Sequence, residues 1–181
     1  MSLLELIALI SGVLGVWLTI QQSIWCWPIA LISVVLSFLA FYQQRLFGDS
    51  ALQIFYFVAG IYGWYFWKRN SEVLFVVTKL DSKKTPFYIL ITILQSLIYY
   101  FLLRYFKSDQ AMFDAILTAC SLTATYMMTK KWLENWLIWV FIDSAYVILY
   151  IIKDMFLFAV LYAAFAAFAY YGWKKWKQSL A

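Results

Sequence analysis

The sequence contains no histidine, only two cysteines and few charged residues, which make up 13% of its 181 residues. Without histidine, the chain lacks the commonest zinc ligand and the usual general base near neutral pH. We therefore expect no catalytic residues, no metal and no cofactor, and we predict that the protein is not an enzyme. Cys26 and Cys120 lie in separate hydrophobic segments and are predicted to be free thiols. Because no Lys or Arg precedes Arg45, the basic start of a cleaved signal peptide is missing.

Hydrophobic residues make up 66% of the chain and occur in successive runs with short polar breaks. Each run is long enough to cross a hydrocarbon core of about 30 Å as a helix. The composition therefore predicts an all-α integral membrane protein with a single transmembrane domain, 1–181. The breaks predict seven transmembrane helices near 4–20, 26–42, 50–67, 86–105, 112–129, 132–151 and 155–173.

One phrase occurs twice in the chain. Residues 62–68 read YGWYFWK and residues 171–177 read YGWKKWK, which are identical at five of seven positions. The same offset of 109 positions also pairs Trp27 with Trp136. A repeat of this length predicts two copies of one structural unit.

The two copies are predicted at 5–69 and 112–178, each with three helices, and 86–105 is predicted to be a linker helix. Because three spans reverse the direction of the chain, one extra span lets the second copy run parallel to the first. Internal repeats in membrane proteins are typical of transporters, which hold the substrate between the copies.

The distribution of basic residues predicts the orientation in the membrane. Seven spans place ten of the 14 Lys and Arg residues on one side and four on the other. The positive-inside rule assigns the ten to the cytoplasm. The N-terminus is therefore predicted to lie outside and the C-terminus in the cytoplasm.

One face of the sixth helix is the main candidate for a substrate site. Residues three and four positions apart share a helix face, and this face carries Trp132, Trp136, Trp139, Asp143, Tyr146 and Tyr150. Trp132 is interpreted as an interfacial anchor. Asp143 falls near mid-membrane, where a carboxylate costs on the order of 2.5–3.5 kcal/mol on insertion scales. It therefore predicts a substrate contact, with a structural hydrogen bond to a neighbouring helix as the alternative.

Other polar and aromatic side chains extend the predicted site. Gln53 and Tyr56 share a face of the third helix, and Tyr162 occupies the position of Gln53 in the second copy. Gln53 either bridges helices or orients a ligand, because a buried amide must be paired. Asn135 lies near the cytoplasmic end of the sixth helix. The tryptophans of the repeated phrase are assigned mainly to structure, with an inner gate as the alternative role for Trp64, Trp67 and Trp173.

The residue types in this site indicate the class of substrate. No Lys or Arg is predicted at mid-membrane, so a phosphate or carboxylate would lack a counter-charge. Trp and Tyr faces suit an uncharged or cationic aromatic molecule, and Asp143 could supply the opposite charge.

Two segments resemble the PnuC family of bacterial vitamin transporters: 53–67, QIFYFVAGIYGWYFW, and 130–139, KKWLENWLIW. The resemblance implies the three-plus-one-plus-three helix arrangement of SWEET sugar transporters, in the bacterial inner (plasma) membrane. It implies facilitated diffusion of nicotinamide riboside, trapping by a cytoplasmic kinase, and a homotrimer. It also implies that helices three and six hold the ligand, at Gln53, Tyr56, Asn135, Trp136 and Trp139.

Alternatives remain open at this point. Relatives carry thiamine or riboflavin, and some nicotinamide riboside members have Asn at the positions of Gly60 and Asp143. Uptake coupled to protons or sodium through Asp143 is a second alternative. An intramembrane enzyme or redox protein is disfavoured, since the chain has no histidine and no clustered carboxylates.

Overall fold

The computed structural model describes residues 3–43, 47–70, 75–106 and 110–180. These residues form seven α-helices, which confirms the predicted number. In chain order they are α1 (Leu3–Ile20), α2 (Cys26–Gln43), α3 (Phe47–Arg69), α4 (Thr85–Tyr105), α5 (Ala111–Thr129), α6 (Asn135–Ile152) and α7 (Phe156–Gln178). Long apolar runs become helices because a helix satisfies every backbone polar group within its own segment, as hydrocarbon requires.

Within the described residues, five helices are long and apolar enough to cross a membrane: α1, α2, α4, α5 and α6. The other two, α3 and α7, have 23 residues each and end in a turn rich in aromatic and basic side chains. That composition is typical of the boundary between hydrocarbon and water.

The chain divides into two compact units, unit one (Met1–Val76) and unit two (Val77–Ala181). In unit one, α2 packs against both α1 and α3. In unit two, each of the helices α4 to α7 packs against the next one in the chain. The linker helix α4 therefore belongs to the same compact unit as the second copy of the repeat.

Small residues allow α1 and α2 to approach closely. A Cβ atom on Gly15 would lie 3.5 Å from the Cα atom of Ala30. The Ser33 hydroxyl donates a hydrogen bond of 2.7 Å to the carbonyl of Ala8. Close backbone contact and an interhelical hydrogen bond are the two interactions that replace the hydrophobic effect between helices in lipid.

The sixth helix begins at Asn135 and not near 132 as predicted. Lys131 has a positive φ of 53°, which ends the preceding helical turn. The Thr78 amide donates to the Lys131 carbonyl at 3.1 Å, and the Leu133 amide donates to the Thr78 carbonyl at 2.9 Å. These bonds hold Trp132 in an extended bridge, so it lies before α6 and outside its aromatic face.

The turn before α6 has an equivalent in the first copy. Gln22 has a φ of 57°, close to the 53° of Lys131, and the two residues are 109 positions apart. Positive φ is uncommon for residues other than glycine. The sequence repeat therefore extends to an unusual backbone conformation.

Candidate functional site

The N-terminal half of α6 buries polar side chains inside unit two. Asn135 is fully buried, Trp136 is 2% exposed and Asp143, near the middle of the helix, is 8% exposed. Trp139 is half-buried. A buried charge or amide needs a partner, so these side chains cannot be explained as surface groups.

Several of these buried groups make no hydrogen bond. Among the buried side-chain nitrogen and oxygen atoms of the described residues, four have no partner, and three belong to α6: Asn135 Oδ1, Trp136 Nε1 and Trp139 Nε1. The Asn135 amide nitrogen instead donates to the Trp132 carbonyl at 2.6 Å. An unpaired buried polar group costs about 1–3 kcal/mol, and native structures keep few of them. One acceptor and two donors are thus available to a ligand within two helical turns.

The C-terminal half of α6 carries a cluster of tyrosines. The ring centroids of Tyr146 and Tyr150 are 6.0 Å apart, and Tyr162 of α7 lies 4.8 Å from the first and 5.3 Å from the second. The structure therefore brings a residue of α7 onto the predicted face of α6.

The predicted stripe on α6 contains two groups of side chains. Trp136 and Tyr146 are ten positions apart, which is about 15 Å along a helix. The unpaired donors and acceptor lie at one end and the mutually packed tyrosines at the other. Asp143 lies between the two groups in sequence. A ligand that contacts either group could therefore also contact this carboxylate.

Gln53 and Tyr56 lie on α3 in unit one, and both are half-buried. Their predicted contact with the ligand is a separate proposal from the α6 site, because α6 belongs to unit two.

The three candidate gate residues differ in their surroundings. Trp67 is 3% exposed and packs edge-on against Trp27, with ring centroids 5.5 Å apart. Trp64 is 39% exposed. Trp173 stacks on Tyr170 at 5.9 Å. Their role as a gate stays a prediction.

Trp176 is a neighbour of the site that was not among the residues predicted from the sequence. It is fully buried and its ring meets that of Trp136 at 90°, with centroids 5.3 Å apart. The signal that could have found it is the repeat, which pairs it with Trp67. In the sequence, Trp176 is one of the tryptophans of the repeated phrase, which are assigned mainly to structure.

Comparison with known proteins identifies relatives over most of the chain. Residues 2–178 match the family described as nicotinamide mononucleotide transporter. The chain is similar to the nicotinamide riboside transporter PnuC of Escherichia coli strain K12. The two are 27% identical over an alignment of 184 residues, which covers 86% of this chain and 77% of the relative. A shorter stretch is similar to the riboflavin/roseoflavin transporter RibM of Streptomyces davaonensis, with 31% identity over 38% of this chain and 32% of the relative.

A solved structure has the same fold. The crystal structure of the vitamin B3 transporter PnuC matches 97% of this chain and 80% of its own, with a TM-score of 0.78 and 18% sequence identity.

Proposed function

Since the chain belongs to the nicotinamide mononucleotide transporter family, we propose that it is a uniporter that takes up the dephosphorylated vitamin nicotinamide riboside by alternating access. The observation that carries the proposal is the set of unpaired buried groups on α6. In this proposal, the N-terminus lies outside the bacterial inner membrane and the C-terminus lies in the cytoplasm.

The carboxamide of nicotinamide matches the unpaired groups of α6. Its carbonyl can accept from the indole N–H of Trp136 or Trp139, and its amide N–H can donate to Asn135 Oδ1. A buried polar group that pairs only when ligand is present discriminates strongly against molecules that cannot make the bond. The hydrogen-bonding pattern therefore supports a ligand with a primary amide.

The charge of the pyridinium ring fits the rest of α6. A cationic ring is attracted to a carboxylate and to aromatic faces, which Asp143 and the tyrosine cluster supply. We propose that Tyr146, Tyr150 and Tyr162 contact the substrate during passage. Separately, we propose that Gln53 and Tyr56 of α3 also contact the substrate.

The family description names the mononucleotide, but the charges on α6 favour the riboside. The only charged residue in the sequence of α6 is Asp143. A phosphate group requires basic side chains, and a carboxylate would repel it. Thiamine, which is also a cationic aromatic molecule, is the main alternative. Riboflavin is a second alternative, supported by the similarity to RibM.

Isothermal titration calorimetry of the purified protein would test the proposal with nicotinamide riboside, nicotinamide mononucleotide, thiamine and riboflavin. We expect the riboside to bind, and the mononucleotide to bind at least about tenfold more weakly because its phosphate lacks a counter-charge. The double variant Trp136→Ala/Trp139→Ala should lose binding. The control is Trp25→Ala, because this tryptophan is 65% exposed. Unchanged binding by the double variant would place the site elsewhere, and tighter binding of thiamine would identify that vitamin as the substrate.

We further propose a homotrimer, and a cytoplasmic kinase that traps the imported substrate. Phosphorylation adds the charge that α6 cannot accommodate, so the product could not leave by the same route. Native mass spectrometry would detect the assembly as a multiple of the 21.3 kDa chain.

A further inference from the structure

Helices α6 and α7 hold the Trp136 ring between two residues. The face of the ring lies on Gly172, and its edge meets the Trp176 ring at 90° with centroids 5.3 Å apart. Edge-to-face contact is a favoured arrangement of aromatic pairs. We call this arrangement of Trp136, Gly172 and Trp176 the tryptophan clamp.

The first copy contains the same clamp between α2 and α3. The Trp27 ring lies on Gly63 and meets the Trp67 ring at 87°, with centroids 5.5 Å apart. All three positions are 109 residues before their equivalents in the second copy. The clamp is therefore a property of the repeat unit and not an accident of one helix pair.

The glycine of the clamp leaves no room for a side chain. A Cβ atom on Gly172 would lie 2.8 Å from Cδ2, Cε2 and Cε3 of Trp136. Non-bonded carbon atoms essentially never approach so closely. Trp136 is 2% exposed and Trp176 is fully buried, so the ring could move only by displacing packed neighbours. Gly172 thus sets how closely the indole approaches α7.

The contact at Gly172 lies next to the unpaired donor. Cε2 of Trp136 is bonded directly to Nε1, which has no hydrogen-bond partner. A displacement of the ring by a Cβ atom would therefore move the N–H group with it. A shift of about 1 Å in a positioned group can cost up to about a hundredfold in function.

We propose that Gly172 is a positioning residue for substrate binding: its missing side chain, with Trp176 at the ring edge, aims the Trp136 N–H at the vitamin. The inference rests on the proposed function. It adds a residue that never touches the ligand and would act only through Trp136.

The first copy provides a control built into the same chain. Its clamp also buries an unpaired indole N–H, that of Trp27. The polar and aromatic companions are missing, however, because the positions equivalent to Asn135, Trp139 and Asp143 hold Cys26, Ala30 and Val34. The clamp of the first copy should therefore join helices without affecting the choice of ligand.

The test compares Gly172→Ala with Gly63→Ala in the full chain, using calorimetry with nicotinamide riboside. We expect the Kd to rise about tenfold or more for Gly172→Ala and to change less than about threefold for Gly63→Ala. Thermal unfolding would measure the stability of both ligand-free variants, and near-ultraviolet circular dichroism would measure the packing of their aromatic rings. A merely structural role would lower the melting temperature of both variants and leave both Kd values near that of the wild type, which would overturn the inference.

If Gly172→Ala does not fold, Trp176→Phe is a second variant that tests the same inference. This change removes part of the edge contact without adding a clash, and it should also weaken binding. Trp25→Phe, at a tryptophan that is 65% exposed, should not. Equal Kd values for Trp176→Phe and the wild type would refute the positioning role while leaving the proposed function intact. A wild-type protein that binds none of the four vitamins would instead refute the proposed function.

Discussion

In the proposed site, Asp143 is the residue on which the choice of substrate should depend most directly. It is the only charged residue in the sequence of α6, it lies near the middle of that helix, and it is 8% exposed. Ionisable residues within membrane spans are rare and usually functional. Because it lies in sequence between the unpaired groups and the tyrosine cluster, we expect Asp143 to contact a ligand that contacts either group.

Asp143→Asn should weaken the binding of cationic vitamins and leave neutral ones nearly unaffected. Asparagine keeps the size and the hydrogen-bonding ability of the side chain but removes its charge. Because hydrogen bonds to charged groups contribute about 1.5–3 kcal/mol, we expect the Kd for nicotinamide riboside to rise roughly ten- to hundredfold in calorimetry. The control is Asp154→Asn, an exposed position just after α6. An equal loss of affinity for riboflavin would instead indicate that Asp143 has a structural role.

At the scale of helices, hydrogen bonds between hydroxyl groups join the linker helix to the second copy. The hydroxyl oxygens of Thr92 on α4 and Thr123 on α5 are 2.8 Å apart, and Thr123 also donates to Gln95 Oε1 at 3.4 Å. These bonds connect neighbouring helices within unit two. These hydrogen bonds are one reason why α4 packs with unit two.

Thr123→Val should destabilise the packing of α4 on α5. Interhelical hydrogen bonds in membranes contribute about 0.6 kcal/mol on average and up to about 1.7 kcal/mol, so we expect the free energy of unfolding in micelles to fall by about 1 kcal/mol. The matched control is Thr125→Val, since the Thr125 hydroxyl bonds only to the Ser121 carbonyl of its own helix among the contacts described. Equal stability of the two variants would show that the contact between helices contributes nothing.

At the scale of the whole molecule, the chain is a transporter because it belongs to a transporter family. The mode of transport is a separate question, because a buried carboxylate such as Asp143 is also the group that a proton-coupled carrier would use. A uniporter needs only a concentration gradient, which the proposed cytoplasmic kinase would maintain.

Uptake of nicotinamide riboside into proteoliposomes should continue unchanged when a protonophore is added. Vesicles contain no kinase, so trapping cannot mask an effect of the proton gradient. Uptake should saturate with substrate concentration and stop at equal concentrations on both sides. Accumulation above the outside concentration, followed by collapse with the protonophore, would establish proton coupling in place of uniport.

The sequence by itself determined the membrane class, the seven helices, the repeat and most of the candidate residues on α6. Hydrophobic runs and helical periodicity are local properties, and a backbone in hydrocarbon has no alternative to forming the helix. The offset of 109 positions also pairs Trp27 with Trp136, the two rings that lie in the tryptophan clamps.

The tertiary structure alone decided where α6 begins, which polar atoms stay unpaired and where Trp176 lies. The helix starts late because Thr78, more than 50 positions earlier, pairs with the backbone around Trp132. Whether an indole N–H finds a partner, and whether a glycine lies under its ring, depends on atoms that another helix supplies. Such contacts leave no periodic trace in the sequence, because they depend on distances in space and not on spacing along the chain.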